Sequence, residues 1–167
     1  MRDNGYIRKI DELGRIVIPK ELRQRLKIYE GENLVINTCD NNINISKYSY
    51  IENNTKFIKL VADRLSFYTN YYVLISDLEN IIYCNQECHQ ASLPESLREY
   101  INRLEPVELS SLHLFDVNLV GQICIVPVIV NSSCLGLVIL ASEKKDNYLS
   151  KTCKLLADII SIHLDMS

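Results

Sequence analysis

The first fifty residues alternate apolar and polar positions in short runs that are typical of strands. Tyr6–Ile10 and Arg15–Ile18 form one pair, and Asp11–Gly14 between them ends in a glycine that can take the positive φ of a tight reversal. Leu34–Thr38 and Ile43–Lys47 form a second pair around a polar reversal. The pattern therefore predicts two hairpins.

Between these hairpins, Pro19 to Leu26 predicts a short helix. Pro19 suits its first position, because the N–H that proline lacks would have no partner there. Leu22 and Leu26 are four residues apart and fall on one face. A unit of this size buries too little apolar surface to fold alone, so we expect an obligate dimer of interlocked hairpins. The expected shared core contains Ile7, Ile10, Ile16, Ile18, Leu34, Ile36, Ile43 and Ile45.

From residue 56 onward the pattern changes to apolar stripes at helical spacing and to near-continuous apolar runs bounded by polar turns. Ser92 and Glu95 have the spacing of a capping box that opens a helix. The predicted elements are a helix at Lys56–Tyr68, strands at Tyr71–Ser76 and Ile81–Asn85, a helix at Ser92–Leu104, an edge strand at Val107–Leu112, a hairpin of Gln122–Val130 and Leu135–Ala141, and a helix at Asp146–Leu164.

This order of elements predicts an α+β domain with an antiparallel sheet and flanking helices. The polar stretch before it indicates a linker, so we expect a hairpin domain at residues 1–50, a linker at 51–55 and the sheet domain at 56–167. The apolar stripes of the first and last helices either cover their own sheet or pack across a subunit boundary. In the second case they would join two dimers into a homotetramer.

Composition narrows the class of protein. With 167 residues, 47% hydrophobic and 23% charged, the chain has an ordinary soluble balance and room for one or two domains. It has no apolar run long enough to span a membrane and no secretory signal, so we expect a cytoplasmic, nucleoid-associated protein. Six cysteines lack CxxC spacing, which favours reduced, apolar side chains over a disulfide framework.

Charge is divided unevenly along the chain. Residues 1–27 contain eight Lys or Arg and four Asp or Glu, a net of +4, whereas residues 28–167 contain ten against seventeen, a net of −7. A cationic block in an acidic chain indicates a polyanionic partner for the first domain alone. The simpler interpretation is a solvated surface in which Asp11, Glu12 and Glu21 pair with the basic side chains.

The segment GYIRKIDELGRIVIPKELRQRLKIYEGENLVI resembles the N-terminal domain of AbrB-type transition-state regulators. Turn, proline and basic positions match the family together. The resemblance implies a swapped-hairpin β-barrel dimer that binds double-stranded DNA. Residue by residue, Arg8, Arg15 and Arg23 correspond to the family's DNA-contacting arginines, and Lys9 corresponds to a position that is usually basic.

One departure from the family lies in the short helix. The family often has two arginines in succession there, whereas Gln24 takes the second place in this chain and Arg25 follows one residue later. A shift of one residue turns a helical side chain by about 100°. Arg25 therefore reaches phosphate by a different route or does not reach it. We include it among the expected DNA contacts, which are Arg8, Lys9, Arg15, Arg23 and Arg25.

The element order of the second domain, together with its PVIVNSSCLGLVIL hairpin, resembles a GAF-type sensor domain. The resemblance implies a small molecule held between the sheet and its covering helix, although fold alone does not imply function. The sequence contains no Gly-rich phosphate loop and no metal-ligand set, so we expect no cofactor and leave the ligand unidentified.

Two alternatives to a regulator follow from the same residues. Cys84, Cys88 and His89 fit a metal or redox site, but they lack a second ligand pair, so we expect no metal and no catalytic residue. A GAF-fold thiol enzyme, a sulfoxide reductase using Cys84 or Cys88, would show thiol-dependent turnover. A MazE-like antitoxin would follow the hairpin domain with a toxin-binding tail, whereas this remainder looks globular.

By its two resemblances, the sequence is expected to encode a sequence-specific, DNA-binding transcriptional regulator of sporulation or stationary-phase genes, and not an enzyme. It shows no helix-turn-helix pattern and no zinc spacing, so we expect specificity through DNA shape. The second domain is expected to set how two DNA-binding dimers engage one duplex, which changes the avidity for linked sites. Activation and repression use the same contacts, and the sequence does not separate them.

Overall fold

A computed structural model describes residues 5–86, 92–114 and 117–166 of the chain. The chain divides into two compact units, residues 1–48 and residues 49–167. Each unit combines helical structure with an antiparallel sheet, which confirms the predicted α+β class. Within the described residues, no helix has the length and apolarity needed to cross a membrane.

The first unit contains one short helix and a two-stranded sheet. Helix α1 is Lys20–Arg25, and the antiparallel strands are β1, Leu34–Cys39, and β2, Asn42–Lys47. Pro19 precedes the helix with an extended ψ of 145°, so the prediction that it is the first helical residue was wrong by one position.

The predicted strands Tyr6–Ile10 and Arg15–Ile18 are not strands in this structure; only the reversal between them is formed. A strand exists through hydrogen bonds to a neighbour, and within the described residues of the first unit only β1 and β2 pair with each other. The segments that the sequence predicts as the first hairpin therefore have no sheet to join within one chain.

The β1–β2 hairpin has one apolar face and one polar face. Ile36 lies opposite Ile45, and Thr38 lies opposite Ile43, whereas Asn37 lies opposite Asn44 on the other face. The apolar face is not covered by the chain itself, because the side chains of Ile36 and Ile43 are 69% and 64% exposed.

The second unit is built on a five-stranded antiparallel sheet with strand order β4-β3-β7-β6-β5. Short helix α2 and the longer helices α3 and α5 pack on one face, and α4 packs on the other. The elements are α2, Tyr50–Asn53; α3, Thr55–Thr69; β3, Tyr72–Ser76; β4, Ile81–Cys84; α4, Glu95–Arg103; β5, Val107–Leu114; β6, Val117–Val130; β7, Ser133–Ser142; and α5, Leu149–Asp165.

Both faces of this sheet are buried, which explains the near-continuous apolar runs of β6 and β7. On the α3–α5 side, Ile58, Leu156 and Ile160 pack on Val126 and Val138. The turn between β6 and β7 is formed by Asn131 and Ser132, both with positive φ, at 49° and 64°. Two residues with positive φ give the tight turn that matches the twist of a hairpin.

Two predicted features of this unit were wrong. Residues 51–55 are not a free linker, since they lie in or next to α2 and α3, and Ile51 has no exposed surface. Ser92 does not cap a helix but forms an isolated bridge with Asn80. Helix α4 begins only at Glu95, because Pro94 before it is extended, with ψ 145°.

Candidate nucleic-acid interface

The reversal at residues 11–15 is organised by one carboxylate. Asp11 Oδ1 accepts hydrogen bonds from the N–H of Leu13 at 3.0 Å and of Arg15 at 2.8 Å. The Asp11 N–H donates to the Arg15 carbonyl at 3.1 Å, and the Gly14 N–H donates to the Asp11 carbonyl at 2.9 Å. Gly14 has φ +76°, which a residue with a side chain rarely adopts.

The same carboxylate holds the guanidinium of Arg15. Arg15 Nε donates to Asp11 Oδ2 at 2.8 Å, and the Arg15 side chain stays 71% exposed. The pKa of Asp11 is lowered, first by the hydrogen bond from the Arg15 backbone and then by the Arg15 side chain. Arg15 is thus tethered at the tip of the reversal while its remaining N–H groups face solvent.

Arg8 and Lys9 lie on the arm that leads into the reversal, and both are exposed. Arg8 Nη1 donates to the Ile7 carbonyl at 2.9 Å, and its guanidinium carbon lies 5.9 Å from the centre of the Tyr6 ring. Ile7 itself is 90% exposed. The arm therefore presents cations and apolar side chains together.

The other two expected contacts lie on α1, and both are exposed. Arg23 and Arg25 lie in the last turn of a helix that has no buried residue. Cations at this end interact favourably with the helix dipole. The two side chains are separated by about 200° around the helix axis, and Gln24 lies between them. They therefore project from different sides of α1.

The five expected DNA contacts thus lie on three neighbouring segments of one unit, and all are exposed. From the sequence, Asp11 was predicted to lie in the reversal and to pair with basic side chains, but the role of its carboxylate in fixing the turn was missed. A pattern of Asp followed three residues later by Gly is typical of such side chain-supported turns. This spacing was available in the sequence.

The second unit contains the residues that the sequence suggested for a redox or metal site. Cys84 is half-buried, with its Sγ 3.3 Å from the hydroxyl of Tyr72. Cys88 and His89, the other members of the suggested redox or metal cluster, lie outside the described residues. Within the described ranges, no group of three or more His, Cys, Asp or Glu side chains is placed to hold a metal ion.

A GAF-type ligand was expected between the sheet and its covering helix; on the face that α4 covers, side chains fill this space. Leu97 of α4 is fully buried and belongs to one cluster with Leu74, Ile125 and Ile139 of the sheet. Open clefts lie elsewhere on this unit. One of 1080 Å³ lies beside Tyr72 and the β7–α5 connection, and one of 480 Å³ lies between β6 and α5.

The outer sides of α3 and α5 carry exposed apolar side chains that do not pack on the sheet. On α5, Leu155 and Ile162 are exposed and seven residues apart, which places them on one stripe. On α3, Leu60 and Phe67 have the same spacing and are also exposed. We call these four residues the helix-pair surface.

Comparison with curated proteins gives two relatives from Bacillus subtilis (strain 168). The chain is 33% identical to stage V sporulation protein T over 153 residues, which cover 86% of each protein. It is 50% identical to transition state regulatory protein AbrB over 48 residues, which cover 29% of this chain and 50% of that protein. No protein-family model matches the chain.

Among solved structures, the fold is similar to two proteins of low sequence identity. A type II free methionine-R-sulfoxide reductase from Thermoplasma acidophilum matches 70% of this chain and 96% of its own, with a TM-score of 0.57 and 13% identity. Residues 122 to 287 of a methyl-accepting chemotaxis protein match 68% of this chain and 90% of that one, with a TM-score of 0.51 and 13% identity. At this identity the likeness describes the fold alone.

Proposed function

The chain belongs to the same family as stage V sporulation protein T, and from that premise we propose that it is a sequence-specific, DNA-binding regulator of transcription. The genes that it regulates would be those of sporulation or stationary phase, and it would bind the nucleoid in the cytoplasm. Residues 1–48 would bind DNA, and the second unit, a GAF-like domain, would join copies of the chain and respond to a small molecule.

The exposure of five basic side chains in the unit that resembles AbrB supports this proposal most directly. Arg8, Lys9, Arg15, Arg23 and Arg25 are all exposed. All five lie within residues 1–27, a segment of net charge +4 in a chain of net charge −3. Phosphate contacts from such side chains supply much of the affinity of a DNA-binding protein, and contacts to base edges or DNA shape supply its specificity.

A swapped-hairpin dimer would account for the apolar surface that the first unit leaves uncovered. Ile7, Ile10, Ile16, Ile36 and Ile43 are each about half exposed or more in a single chain. A surface of this kind is costly in water and is typical of an interface. In the dimer, the arms before and after the reversal would pair with strands of the second copy, which gives the predicted strands Tyr6–Ile10 and Arg15–Ile18 their partners.

We expect Arg15→Ala to weaken binding to a pool of promoter DNA by about tenfold or more, because a dimer loses two phosphate contacts at once. The salt dependence should become shallower by about 1.8 in the slope of log K against log salt, at about 0.9 for each contact. Arg15→Lys should retain most of the affinity, because it keeps the charge. The measurement is a gel-shift titration of the full chain at several salt concentrations.

Lys144→Ala is the matched control, since it removes one exposed positive charge from the second unit. Equal affinities for wild type, Arg15→Ala and Lys144→Ala would show that Arg15 does not contact DNA. Equal losses in both variants would indicate that only net charge matters, which would contradict a defined contact surface.

We further propose that the helix-pair surface joins two dimers into a tetramer. Ile162→Asp should then convert tetramers into dimers, because it places a charge in an apolar contact. Analytical ultracentrifugation of the full chain measures this. Asn147→Asp, an exposed position just before α5, adds the same charge and should leave the assembly unchanged. A tetramer that survives Ile162→Asp would exclude this surface.

The thiol-enzyme alternative has a weaker basis. It depends on Cys84 and Cys88, and the second lies outside the described residues. The family relation to regulators supports a non-enzymatic role, and the likeness to a sulfoxide reductase concerns the fold. Thiol-dependent turnover of a methionine sulfoxide by the full chain would overturn the non-enzymatic assignment.

A further inference from the structure

The chain enters the second unit through a segment that is bound to the sheet from its first residue. The first unit ends at residue 48, and Ser49 opens the second. Ser49 Oγ accepts a hydrogen bond of 3.1 Å from the N–H of Glu52, which caps α2. The same oxygen donates a hydrogen bond of 2.7 Å to Asp77 Oδ2, in the turn between β3 and β4.

Asp77 is held tightly enough to serve as a fixed partner. It is only 6% exposed. Its second oxygen, Oδ1, accepts from the N–H of Glu79 at 2.8 Å and of Asn80 at 2.6 Å, and its own N–H donates to the Asn80 carbonyl at 3.0 Å. A carboxylate this buried needs donors on both oxygens. Ser49 supplies the donor for Oδ2.

The rest of α2 is seated on the sheet as well. Ile51 is fully buried, and Gly136 of β7 lies beneath it. A Cβ at Gly136 would be 2.5 Å from Ile51 Cδ1, 2.0 Å from the Ser76 carbonyl oxygen and 2.9 Å from Asp77 Cα. The glycine thus provides the space in which α2 and the end of β3 meet.

The far end of the segment is bound to α5. Asn54, between α2 and α3, has its Oδ1 3.1 Å from His163 Nε2, and the His163 ring stacks on Phe57 at 3.7 Å between centroids. The nine residues from 49 to 57 therefore contact the β3–β4 turn at one end and the last turns of α5 at the other. A flexible tether would have neither attachment.

We propose that the hydrogen bond between Ser49 and Asp77 is a latch that holds residues 49–57 on the second unit and so fixes how the chain leaves it. This inference rests on the proposed DNA-binding function and adds the element that couples the two units. When one DNA-binding unit has bound, a stiff connection keeps a second unit near the same duplex and raises its effective concentration there. A flexible connection lets the second unit occupy a larger volume and lowers that concentration.

Ser49→Asp breaks the latch and keeps the helix cap, since aspartate is itself a good N-cap residue. Its carboxylate would face that of Asp77, and like charges at this distance repel. Ser49→Ala is the second variant and removes both bonds without adding charge. Asn53→Ala is the matched control, because it removes a 2.8 Å hydrogen bond to the Ser49 carbonyl within α2 and leaves the bond to Asp77 intact.

The test measures binding of the full chain to duplexes with one or two copies of a site that the wild type selects from random-sequence DNA. Ser49→Asp and Ser49→Ala should bind the one-site duplex within about twofold of wild type and lose about tenfold or more on the two-site duplex. Asn53→Ala should match wild type on both. Hydrogen exchange at residues 50–54 should be faster in the two Ser49 variants only.

Unchanged two-site affinity in both Ser49 variants would overturn the latch and leave the DNA-binding function intact. Failure of the wild type to select any site from random-sequence DNA would overturn the DNA-binding function itself. A loss in Asn53→Ala equal to that in the Ser49 variants would assign the effect to the helix and not to its bond with Asp77, which also overturns the latch.

Discussion

Ile36→Asp is expected to leave the full chain unable to form the N-terminal dimer and to reduce its affinity for DNA by a factor of about one hundred or more. Ile36 lies opposite Ile45 on the apolar face of the β1–β2 hairpin and is 69% exposed in a single chain. In the proposed dimer this face is the interior, where an unpaired carboxylate is strongly disfavoured. Separated copies bind through half of the contacts and lose the avidity of the pair.

Asn37→Asp is a closely matched control for this change. Asn37 is the next residue of β1 and lies opposite Asn44, so its side chain points to the polar face. The same charge is introduced one position away, on the opposite side of the sheet. We expect this variant to sediment and bind DNA like wild type, apart from a small loss from added negative charge. If Ile36→Asp behaves like Asn37→Asp, the apolar face is not a dimer interface.

Gly136→Ala is expected to destabilise the second unit by at least about 3 kcal/mol. The added Cβ would lie 2.0 Å from the Ser76 carbonyl oxygen and 2.9 Å from Asp77 Cα. Both are backbone atoms of the end of β3, so no side-chain rotation relieves the overlap. We expect the thermal midpoint of the second unit to fall by about 10 °C or more, measured by circular dichroism or calorimetry.

Two further variants test the cause assigned to this loss. Gly5→Ala adds the same methyl group where nothing lies within 4 Å, and it should leave the midpoint unchanged. Ile51→Val combined with Gly136→Ala shortens the one flexible neighbour and should not restore stability, because the backbone contact persists. A midpoint for Gly136→Ala within about 2 °C of wild type would contradict the close approach.

The second unit could be predicted from the sequence to a large extent, because its elements are long and strongly periodic. Residues Leu149, Cys153, Leu156, Ile160 and Leu164 were placed on one side of a helix, and all are buried in α5. The strands β6 and β7 are flanked by a polar turn and buried on both faces, so their apolar runs are unambiguous.

Features that depend on a single contact were not predicted. Ile51 stands alone in a polar stretch, and periodicity gives no indication that one isoleucine seats a four-residue helix. Ser49 and Asp77 are 28 residues apart; the spacing of Ser49 and Glu52 is that of a helix cap, but it gives no indication of a bond to Asp77. Gly136 lies inside a strand, and glycine is needed there because the backbone of Ser76 and Asp77 leaves no space for a Cβ. Such contacts are set by tertiary packing.

The first unit illustrates a different limit. Its sequence pattern predicts strands at residues 6–10 and 15–18, yet one chain offers them no neighbour. A strand is defined by hydrogen bonds to a neighbour, and in the proposed dimer the second copy would supply them. The assignments of Arg8, Lys9, Arg15, Arg23 and Arg25 to DNA likewise stay predictions, since they concern a partner that is a different molecule.

The salt dependence of DNA binding by the full chain tests the central claim most directly. With the five expected DNA-contacting side chains in each copy, a dimer would offer ten phosphate contacts, and the slope of log K against log salt should lie between about −4 and −9. Such a slope, measured by fluorescence anisotropy on promoter DNA, would establish that these side chains bind the phosphate backbone. Absent binding, or a slope shallower than about −2, would contradict the account.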